Sequence, residues 1–288
     1  MLKKTLFTIA ILCGISFFAL FQFQKKYEHE FTVCAIFKNE APYLKEWIDY
    51  HHQVLGASHF YLYNNDSTDG YQEVLDPYIA AGLVELIQWE SSEDHALRGW
   101  IEGAPWNAYQ IGAYNNCLKE HALGKAQWVA MIDIDEYIVP IKGIEAFHTM
   151  LQKASRPWPF SSVGSLKIHW RIFGTSHIWD LKPGERLIEK LVMRAKDDHG
   201  WNRKQVKSIH RPEAIDICLI HHAKLYKNYK VEELSPKNFN IHHYWTGTEK
   251  RLREKRCDGS EKSEFADQFN SVEDRTIHKY LPLIQSSK

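Results

Sequence analysis

Apolar runs and amphipathic segments alternate along the chain from residue 31 onward. The run FTVCAIF at 31–37 predicts a buried strand. The segment 40–56 predicts a helix ended by Gly56, because the following residues recur at helical spacing: Leu44, Trp47, Ile48, His51 and Leu55. Further strands are predicted at 59–65, 83–89 and 128–135, and further helices at 71–82 and 104–124. This alternation favours an α/β fold with a mostly parallel sheet flanked by helices.

A long apolar run precedes this region. Residues 5–23 carry no charge and lie between Lys4 and Lys25, and about 20 apolar residues span a hydrocarbon core as a helix. We expect an uncleaved transmembrane helix rather than a signal peptide, since no A-x-A site follows the run. The lysines before the run favour an N-terminus in the cytoplasm. The predicted organisation is an anchor with its flanks at 1–26, an α/β domain at 27–260, and a tail at 261–288 with a short helix packed on that domain.

Charge and cysteine content exclude several classes of protein. Acidic and basic residues are equal in number, 36 of each, so no basic surface indicates a nucleic-acid partner. Five cysteines are scattered without a C-x-x-C pair, which is neither a zinc cluster nor a disulfide framework. An H-E-x-x-H motif is absent, which argues against a zinc hydrolase. His51 falls on the apolar stripe of its predicted helix and is expected in the core.

Two aspartates follow the apolar part of the fourth predicted strand, in MIDIDEYIVP at 131–140. Residues i and i+2 of a strand point to the same face, so Asp133 and Asp135 are expected to converge. Open parallel sheets bind ligands beyond the carboxyl ends of their strands, where this pair is predicted to lie. Two carboxylates without a nearby cation repel each other. A divalent metal ion would remove that conflict.

Other sites that contain paired aspartates require different surrounding residues. An EF-hand loop beginning at Asp133 would need glycine and glutamate where the chain has Ile138 and Ile144, so it is excluded. A dehalogenase-type phosphatase would carry its aspartate after the first strand, and here the pair follows the fourth. A solvated acidic loop is the alternative without chemistry.

Several further motifs occur in a consistent order between residues 31 and 260. They are VCAIFKNEAPYLKEWIDYHHQVLGASHFYLYNNDSTDG, AYNNCL, MIDIDEYIVP, HWRIFGTS, KSIHRP, CLIHHAKLY and IHHYWTGTEKRLREK. Together they resemble glycosyltransferase family 92, of the GT-A type and related to family 2 glycosyltransferases. The resemblance implies a Rossmann-like GT-A fold and a metal-dependent transfer of a hexose from a nucleotide-sugar, UDP-linked, to a glycan or other hydroxyl acceptor with inversion. For an anchored enzyme of this kind, the catalytic domain would face the Golgi lumen or the cell envelope.

The resemblance also implies roles for particular residues. Asp133 and Asp135 would be catalytic and would hold Mn²⁺ or Mg²⁺ together with His243. Oxygen ligands suit either ion, and a histidine ligand favours manganese. The donor would be bound by Asn39, Glu40, Asp66 and Lys250, with Arg251, Lys255, Lys207 and Arg211 as further cations for the diphosphate. The segment after Tyr244 predicts a basic helix with Thr246 and Glu249 at capping-box spacing.

The acceptor side of the site is less defined by the sequence. Inversion requires a general base, usually Asp or Glu, and it stays unassigned among Asp180, Glu185 and Asp198, with Asp197, Glu136 and Asp94 as further candidates. His221 and His222 flank a predicted strand and are expected to line the acceptor cleft. Two alternatives remain open: a membrane-tethered carbohydrate-binding protein without turnover, and a metal-dependent phosphotransferase.

Overall fold

The computed structural model describes residues 27–97, 107–156, 161–256 and 266–285. The predicted anchor at 1–26 lies outside these ranges. Within them, the helices are too short or too polar to cross a membrane.

The first half of the domain alternates strands and helices as the sequence predicts. Its strands are β1 (His29–Phe37), β2 (His59–Asn64), β3 (Val84–Gln88) and β4 (Ala126–Met131). Its helices are α1 (Ala41–Gln53), α2 (Tyr71–Ala80) and α3 (Asn107–Asn116), which a π-helical turn extends through Cys117–His121. The four strands pair in parallel in the order β3-β2-β1-β4, which confirms the parallel sheet for this half.

The second half contains shorter elements. Its strands are β5 (Glu136–Pro140), β6 (Val163–Ile172), β7 (Met193–Arg194), β8 (Val206–His210), β9 (Ile215–Cys218), β10 (Ala223–Leu225), β11 (Lys230–Glu233), β12 (Phe239–His243) and β13 (Val272–Glu273). Its helices are α4 (Ile144–Ala154), α5 (Leu187–Lys190), α6 (Gly200–Lys204) and α7 (Glu249–Arg251), the last continued by a π-helical turn, Leu252–Arg256. Short 3-10 segments lie at Glu93–His95, Pro212–Ala214 and Thr276–Leu283.

Within the described residues, the main sheet continues from β4 through β8, β6 and β12 to β5, and β11 pairs with β6. β4–β8, β8–β6 and β12–β5 are antiparallel, whereas β6–β12 and β6–β11 are parallel. The fold is therefore mixed α/β, with a parallel first half and a mixed second half. The turn between β4 and β5 spans only residues 132–135, and β8, β6 and β12 lie between these two strands in the order of the sheet.

Helices cover both faces of the parallel strands, so the strands are apolar at almost every position. On β1, Val33 and Ala35 belong to the core beneath α1 with Trp47, whereas Cys34 packs on the opposite face with Tyr114 of α3. A strand buried on both faces reads as a continuous apolar run, which is what FTVCAIF shows. The prediction that His51 packs in the core is confirmed: it is buried, and its Nδ1 lies 2.8 Å from the Trp47 carbonyl oxygen.

The described part of the tail packs on the domain. β13 pairs with β7, and the 3-10 segment Thr276–Leu283 places Ile277 and Tyr280 in the main core. The Tyr280 hydroxyl donates a hydrogen bond to the Pro140 carbonyl oxygen at the end of β5. This segment therefore covers the part of the sheet that carries β5.

Candidate active site

A cleft of about 530 Å³ opens beyond the carboxyl ends of β1 and β4. Residues from both halves of the domain line it, among them Asn39, Glu40, Asp133, Asp135, His221 and His243. This is the edge at which parallel sheets bind ligands. The cavity therefore contains five of the residues that the resemblance singled out for donor and metal, together with His221. The exposed His222, also expected in the acceptor cleft, lies outside its lining.

Asp133 and Asp135 lie in a tight turn and not in a strand, which corrects the sequence interpretation. β4 ends at Met131 and β5 begins at Glu136. The Glu136 amide donates to the Asp133 carbonyl oxygen at 3.0 Å, and the Asp133 amide donates to the Glu136 carboxylate at 2.9 Å. Strand alternation therefore does not orient the two aspartates, and each has its own surroundings.

Asp133 is neutralised from within the protein. The fully buried Lys207 of β8 places its Nζ 2.9 Å from Asp133 Oδ2 and 3.5 Å from Glu136 Oε2. Asp133 Oδ1 accepts hydrogen bonds from Gln110 at 2.7 Å and Tyr114 at 3.1 Å. Burial alone would lower the pKa of Lys207, but the charges of Asp133 and Glu136 outweigh it and raise that pKa. The expectation that the acid pair lacks a protein cation is therefore wrong for Asp133.

Asp135 faces a histidine. Its Oδ1 lies 3.3 Å from His243 Nε2, and Arg251 Nη2 lies 3.8 Å from its Oδ2. On the far side of the imidazole, His243 Nδ1 is buried, has no hydrogen-bond partner among the described residues, and lies 3.7 Å from Glu136 Oε1. Burial raises the pKa of Glu136 to about 7, against the opposing charge of Lys207.

The acidic and histidine side chains at the cleft could bind a divalent cation only in part. Within the described residues, no group of three or more His, Cys, Asp or Glu side chains is arranged to hold a metal ion. Asp135 and His243 instead offer one oxygen and one nitrogen donor side by side at the cleft wall. A hard or borderline cation would accept this pair and take its other ligands from a bound diphosphate and water. The residues therefore fit a site completed by substrate.

The loops after β1 and β2 are locked together. Asn39 and Asp66 adopt left-handed backbone conformations, with φ of 56° and 54°, which residues other than glycine seldom do. The Thr68 amide donates to Asn39 Oδ1 at 2.8 Å. The Ser91 amide donates to Asp66 Oδ2 at 3.0 Å, and hydrogen bonding from Ser91 lowers the pKa of Asp66. Asn39 lines the cleft, whereas Asp66 lies outside its lining.

Arg251 joins α7 to the first half of the domain. Its guanidinium contacts the Glu40 carboxylate through two hydrogen bonds of 2.7 and 3.0 Å and lies over the Tyr43 ring at 4.3 Å. The cap of α7 is Thr248, whose hydroxyl accepts from the Arg251 amide at 3.3 Å. The predicted cap, Thr246, is buried and bonds the carbonyl oxygens of Phe173 and Gly247 instead, at 3.3 and 3.0 Å. The capping-box prediction is therefore wrong by two residues.

Other predicted cations lie elsewhere. Lys250 pairs with Asp180 at 2.8 Å in a second pocket of about 490 Å³, which Asn39 and Arg251 also line. Arg211 pairs with Glu213 at 2.8 Å. The side chain of Lys255 lies outside the described residues.

The candidates for the general base are dispersed. Glu185 lines the second pocket with Asp180, and its carboxylate lies 3.1 Å from Lys190 Nζ. Three others are exposed and lie outside both pockets: Asp94, Asp197 and Asp198. Glu136 is fully buried behind the turn. The structure brings none of these six candidates to the wall of the main cleft.

Several residues at the cleft were not predicted from the sequence. Gln110 and Tyr114 of α3 bind Asp133, and Trp170 of β6 packs edge-on against the His221 and His243 rings at centroid distances of 5.4 and 4.2 Å. Trp170 belongs to the motif HWRIFGTS, but an isolated tryptophan in an apolar strand carries no signal that separates a cleft wall from a core.

Comparison with known proteins agrees with the motifs in the sequence. A model of glycosyltransferase family 92 matches residues 29–281. A family 92 protein of Arabidopsis thaliana is 28% identical over 205 residues, which are 69% of this chain and 32% of that protein. One of Oryza sativa is 28% identical over 222 residues, which are 75% of this chain and 33% of that protein. The chain thus spans about a third of the length of the curated relatives it matches.

Solved structures of glycosyltransferases are more distant. TarS 1–349 of S. aureus superposes with a TM-score of 0.43 at 12% identity, over 75% of this chain and 61% of that one. Glucosyl-3-phosphoglycerate synthase of Mycobacterium tuberculosis, crystallised with Mn²⁺ and UDP, gives a TM-score of 0.35 at 14% identity, over 65% of this chain and 58% of that one. Since the family match covers nearly the whole domain in a single stretch, the chain belongs to glycosyltransferase family 92.

Proposed function

We propose that this chain is a GT-A glycosyltransferase that transfers a hexose from a UDP-linked sugar to a hydroxyl group of a glycan, with inversion and with the help of Mn²⁺ or Mg²⁺. The observation that carries the proposal is the cleft beyond β1 and β4. There Asp135 and His243 lie 3.3 Å apart, on the same cavity as Asn39 and Glu40. A family assignment and a cleft with this donor set point to the same chemistry.

Asp135 and His243 would hold the cation, and Asp133 would reach it only through water. Asp133 already accepts hydrogen bonds on both of its carboxylate oxygens, from Lys207 on one and from Gln110 and Tyr114 on the other. A bound divalent cation would neutralise the charge that builds on the departing nucleoside diphosphate. The imidazole ligand favours manganese over magnesium.

The protein's own groups would bind and orient the donor. Asn39 and Glu40 present amide and carboxylate groups, which suit the imide of uracil and the hydroxyls of ribose. The hydrogen bonds that fix Asn39 and Asp66 in strained conformations would keep this wall rigid before the donor binds. Arg251 fixes Glu40 and lies near Asp135, where it would also face the diphosphate.

We further propose that residues 1–26 anchor the chain in a membrane as a single span, with the N-terminus in the cytoplasm. The uncharged run at 5–23 supports this proposal. The domain at 27–260 and the tail at 261–288 would then lie on the other side of the membrane.

The test uses the full chain in detergent with UDP-glucose, UDP-galactose and UDP-N-acetylglucosamine. We expect UDP release that requires Mn²⁺, that EDTA abolishes, and that Asp135→Asn removes. Asp216→Asn is a matched control, because Asp216 pairs with Lys224 on the surface, away from the cleft. Donor binding without release would instead favour a carbohydrate-binding protein, and phosphate release from monoesters would favour a phosphotransferase.

A further inference from the structure

The carboxylates that line the main cleft are already engaged by other groups. Glu40 binds Arg251 through two hydrogen bonds, and Asp133 binds Lys207. Asp135 faces His243 and Arg251. A group that takes a proton from an acceptor needs a lone pair that is not committed to such a partner. The cleft wall provides one in His221, between β9 and β10.

The hydrogen bond of His221 fixes its tautomer. Its Nδ1 lies 2.9 Å from the backbone carbonyl oxygen of Val206. A carbonyl oxygen only accepts, so Nδ1 carries the proton and Nε2 keeps its lone pair. Nε2 has no hydrogen-bond partner among the described residues, while the half-buried ring lines the cleft. His221 therefore presents a hydrogen-bond acceptor at the site without breaking a contact.

Trp170 sets the position of His221 relative to the proposed cation site. The indole packs edge-on against His221 on one side and against His243 on the other, at centroid distances of 5.4 and 4.2 Å. Both imidazoles thus belong to the same wall of the cavity. His221 therefore lies on the cavity wall next to the groups that would hold the diphosphate, separated from His243 by the indole of Trp170.

The surroundings keep His221 neutral. Burial and the nearby charge of Lys207 lower the pKa of His221 to about 4, close to the ordinary value of an aspartate at about 3.9. As a base it would be comparable to the carboxylates that usually serve inverting transferases. The neutral ring is ready to accept a proton at physiological pH.

We propose that Nε2 of His221 is the general base of the reaction, an assignment that rests on the proposed function. The acceptor hydroxyl attacks the anomeric carbon and forms the new C–O bond. The bond from that carbon to the diphosphate oxygen breaks, and its electron pair leaves with UDP. The hydroxyl proton passes to Nε2, which later releases it to water.

The test compares two nucleophiles, because the natural acceptor is not needed to detect a base. Water must lose a proton when it attacks, whereas azide has none to lose. The full chain in detergent is given Mn²⁺ and UDP-glucose, UDP-galactose or UDP-N-acetylglucosamine, with and without sodium azide. UDP release and glycosyl azide are then measured. The variant is His221→Asn, whose side-chain amide can still donate to the Val206 carbonyl; His222→Asn is the matched control on the exposed neighbour.

We expect His221→Asn to lower the rate of hydrolytic UDP release about 100-fold, which is the lower end of the usual contribution of a general base. Its KM for the donor and its melting temperature should stay unchanged, and azide should restore release with formation of glycosyl azide. His222→Asn should behave like the unmodified protein.

Two results would overturn the assignment of His221 as the base and leave the proposed function intact. One is hydrolysis by His221→Asn at the unmodified rate. The other is a loss that azide does not restore, which would show that His221 shapes the site without taking a proton. If the unmodified chain releases no UDP from any of the three donors, the proposed function fails, and the base assignment fails with it.

Discussion

Asp133 and Asp135 are two residues apart in one turn, yet they occupy different surroundings. Asp133 belongs to a closed network in which Lys207, Gln110 and Tyr114 engage both of its carboxylate oxygens. Asp135 faces the imidazole of His243 and is approached by Arg251. We therefore expect the first carboxylate to contribute to the stability of the fold, and the second is the one proposed to bind the cation. Two identical acids in one motif can thus have different surroundings and different expected roles.

The largest effect is expected from removing the cation of the closed network. Lys207→Met would leave Asp133 and Glu136 without their buried partner, and breaking a buried pair costs about 3–5 kcal/mol. The free energy of unfolding, measured by urea denaturation, should fall by that amount. Lys224→Met is the control, since its pair with Asp216 is largely exposed and such pairs contribute about 0–1 kcal/mol. Equal effects of the two variants would contradict the closed network.

Substitution of Asp135 should mainly lower activity, whereas substitution of Asp133 should mainly lower the free energy of unfolding. Asp135→Asn is expected to lower Mn²⁺-dependent UDP release by about 100-fold or more, since even residues behind a metal ligand cost about 10–100-fold. It should also abolish any rise in melting temperature on adding Mn²⁺. Asp133→Asn should lower the free energy of unfolding by about 1–3 kcal/mol, because its hydrogen-bond partners are left unmatched. The proposed difference between the two aspartates would be contradicted if Asp133→Asn, and not Asp135→Asn, abolished the response to Mn²⁺.

Two buried histidines should make the fold sensitive to acid. Burial lowers the pKa of His51 and of His210 to about 3. Below about pH 6.5 the unfolded chain binds protons at these positions and the folded chain does not, so stability falls as the pH drops toward 3. Between about pH 5.5 and pH 4, where the unfolded histidine is protonated and the folded one is not, the loss is about 1.4 kcal/mol per pH unit for each histidine.

The check is urea unfolding at pH 6.5 and 5.5 of the unmodified chain, His51→Gln and, as a control, His222→Gln. His51→Gln should lose about 1 kcal/mol less than the unmodified chain between these two pH values, because an unfolded histidine is already half protonated at pH 6.5. His222→Gln, at an exposed position, is the control for the loss of a histidine side chain. An unchanged slope for His51→Gln would show that His51 is charged in the folded state.

The smallest effect concerns the helix that carries Arg251. Thr248→Ala removes the cap of α7, which costs about 1 kcal/mol. Because Arg251 holds Glu40, the KM for the donor should rise as well. Thr149→Ala, at an exposed position of α4, is the control for the loss of a threonine hydroxyl. A larger effect of Thr246→Ala on donor affinity would favour the capping box first predicted from the sequence.

The alternating elements of the first half were predictable from the sequence, because local periodicity determines them. The starts of β2 and α2 agree with the predicted residues 59 and 71. The family could be recognised for a related reason, since its motifs keep their order and spacing. The end of β4 was misplaced because Ile132 and Ile134 continue an apolar pattern that the backbone does not follow as a strand. An apolar pattern reports burial, and a turn can be buried as completely as a strand.

The charge balance of the site could not be obtained in this way. Lys207 and Asp133 are 74 positions apart, and Arg251 and Glu40 are 211 apart. Whether a lysine is solvated or buried against a carboxylate depends on which strands become neighbours, and β8 lies beside β4 only in the folded sheet.

By itself, the sequence determined the α/β class, the order of the first elements, the family and the two acids with their histidine. The tertiary structure alone decided that Asp133 is neutralised by a lysine, that Asp135 meets His243, and that His221 shares a wall with it through Trp170. The reason is physical: periodicity and motif spacing are local properties of the chain, whereas electrostatics acts over a few ångströms between residues that only folding brings together.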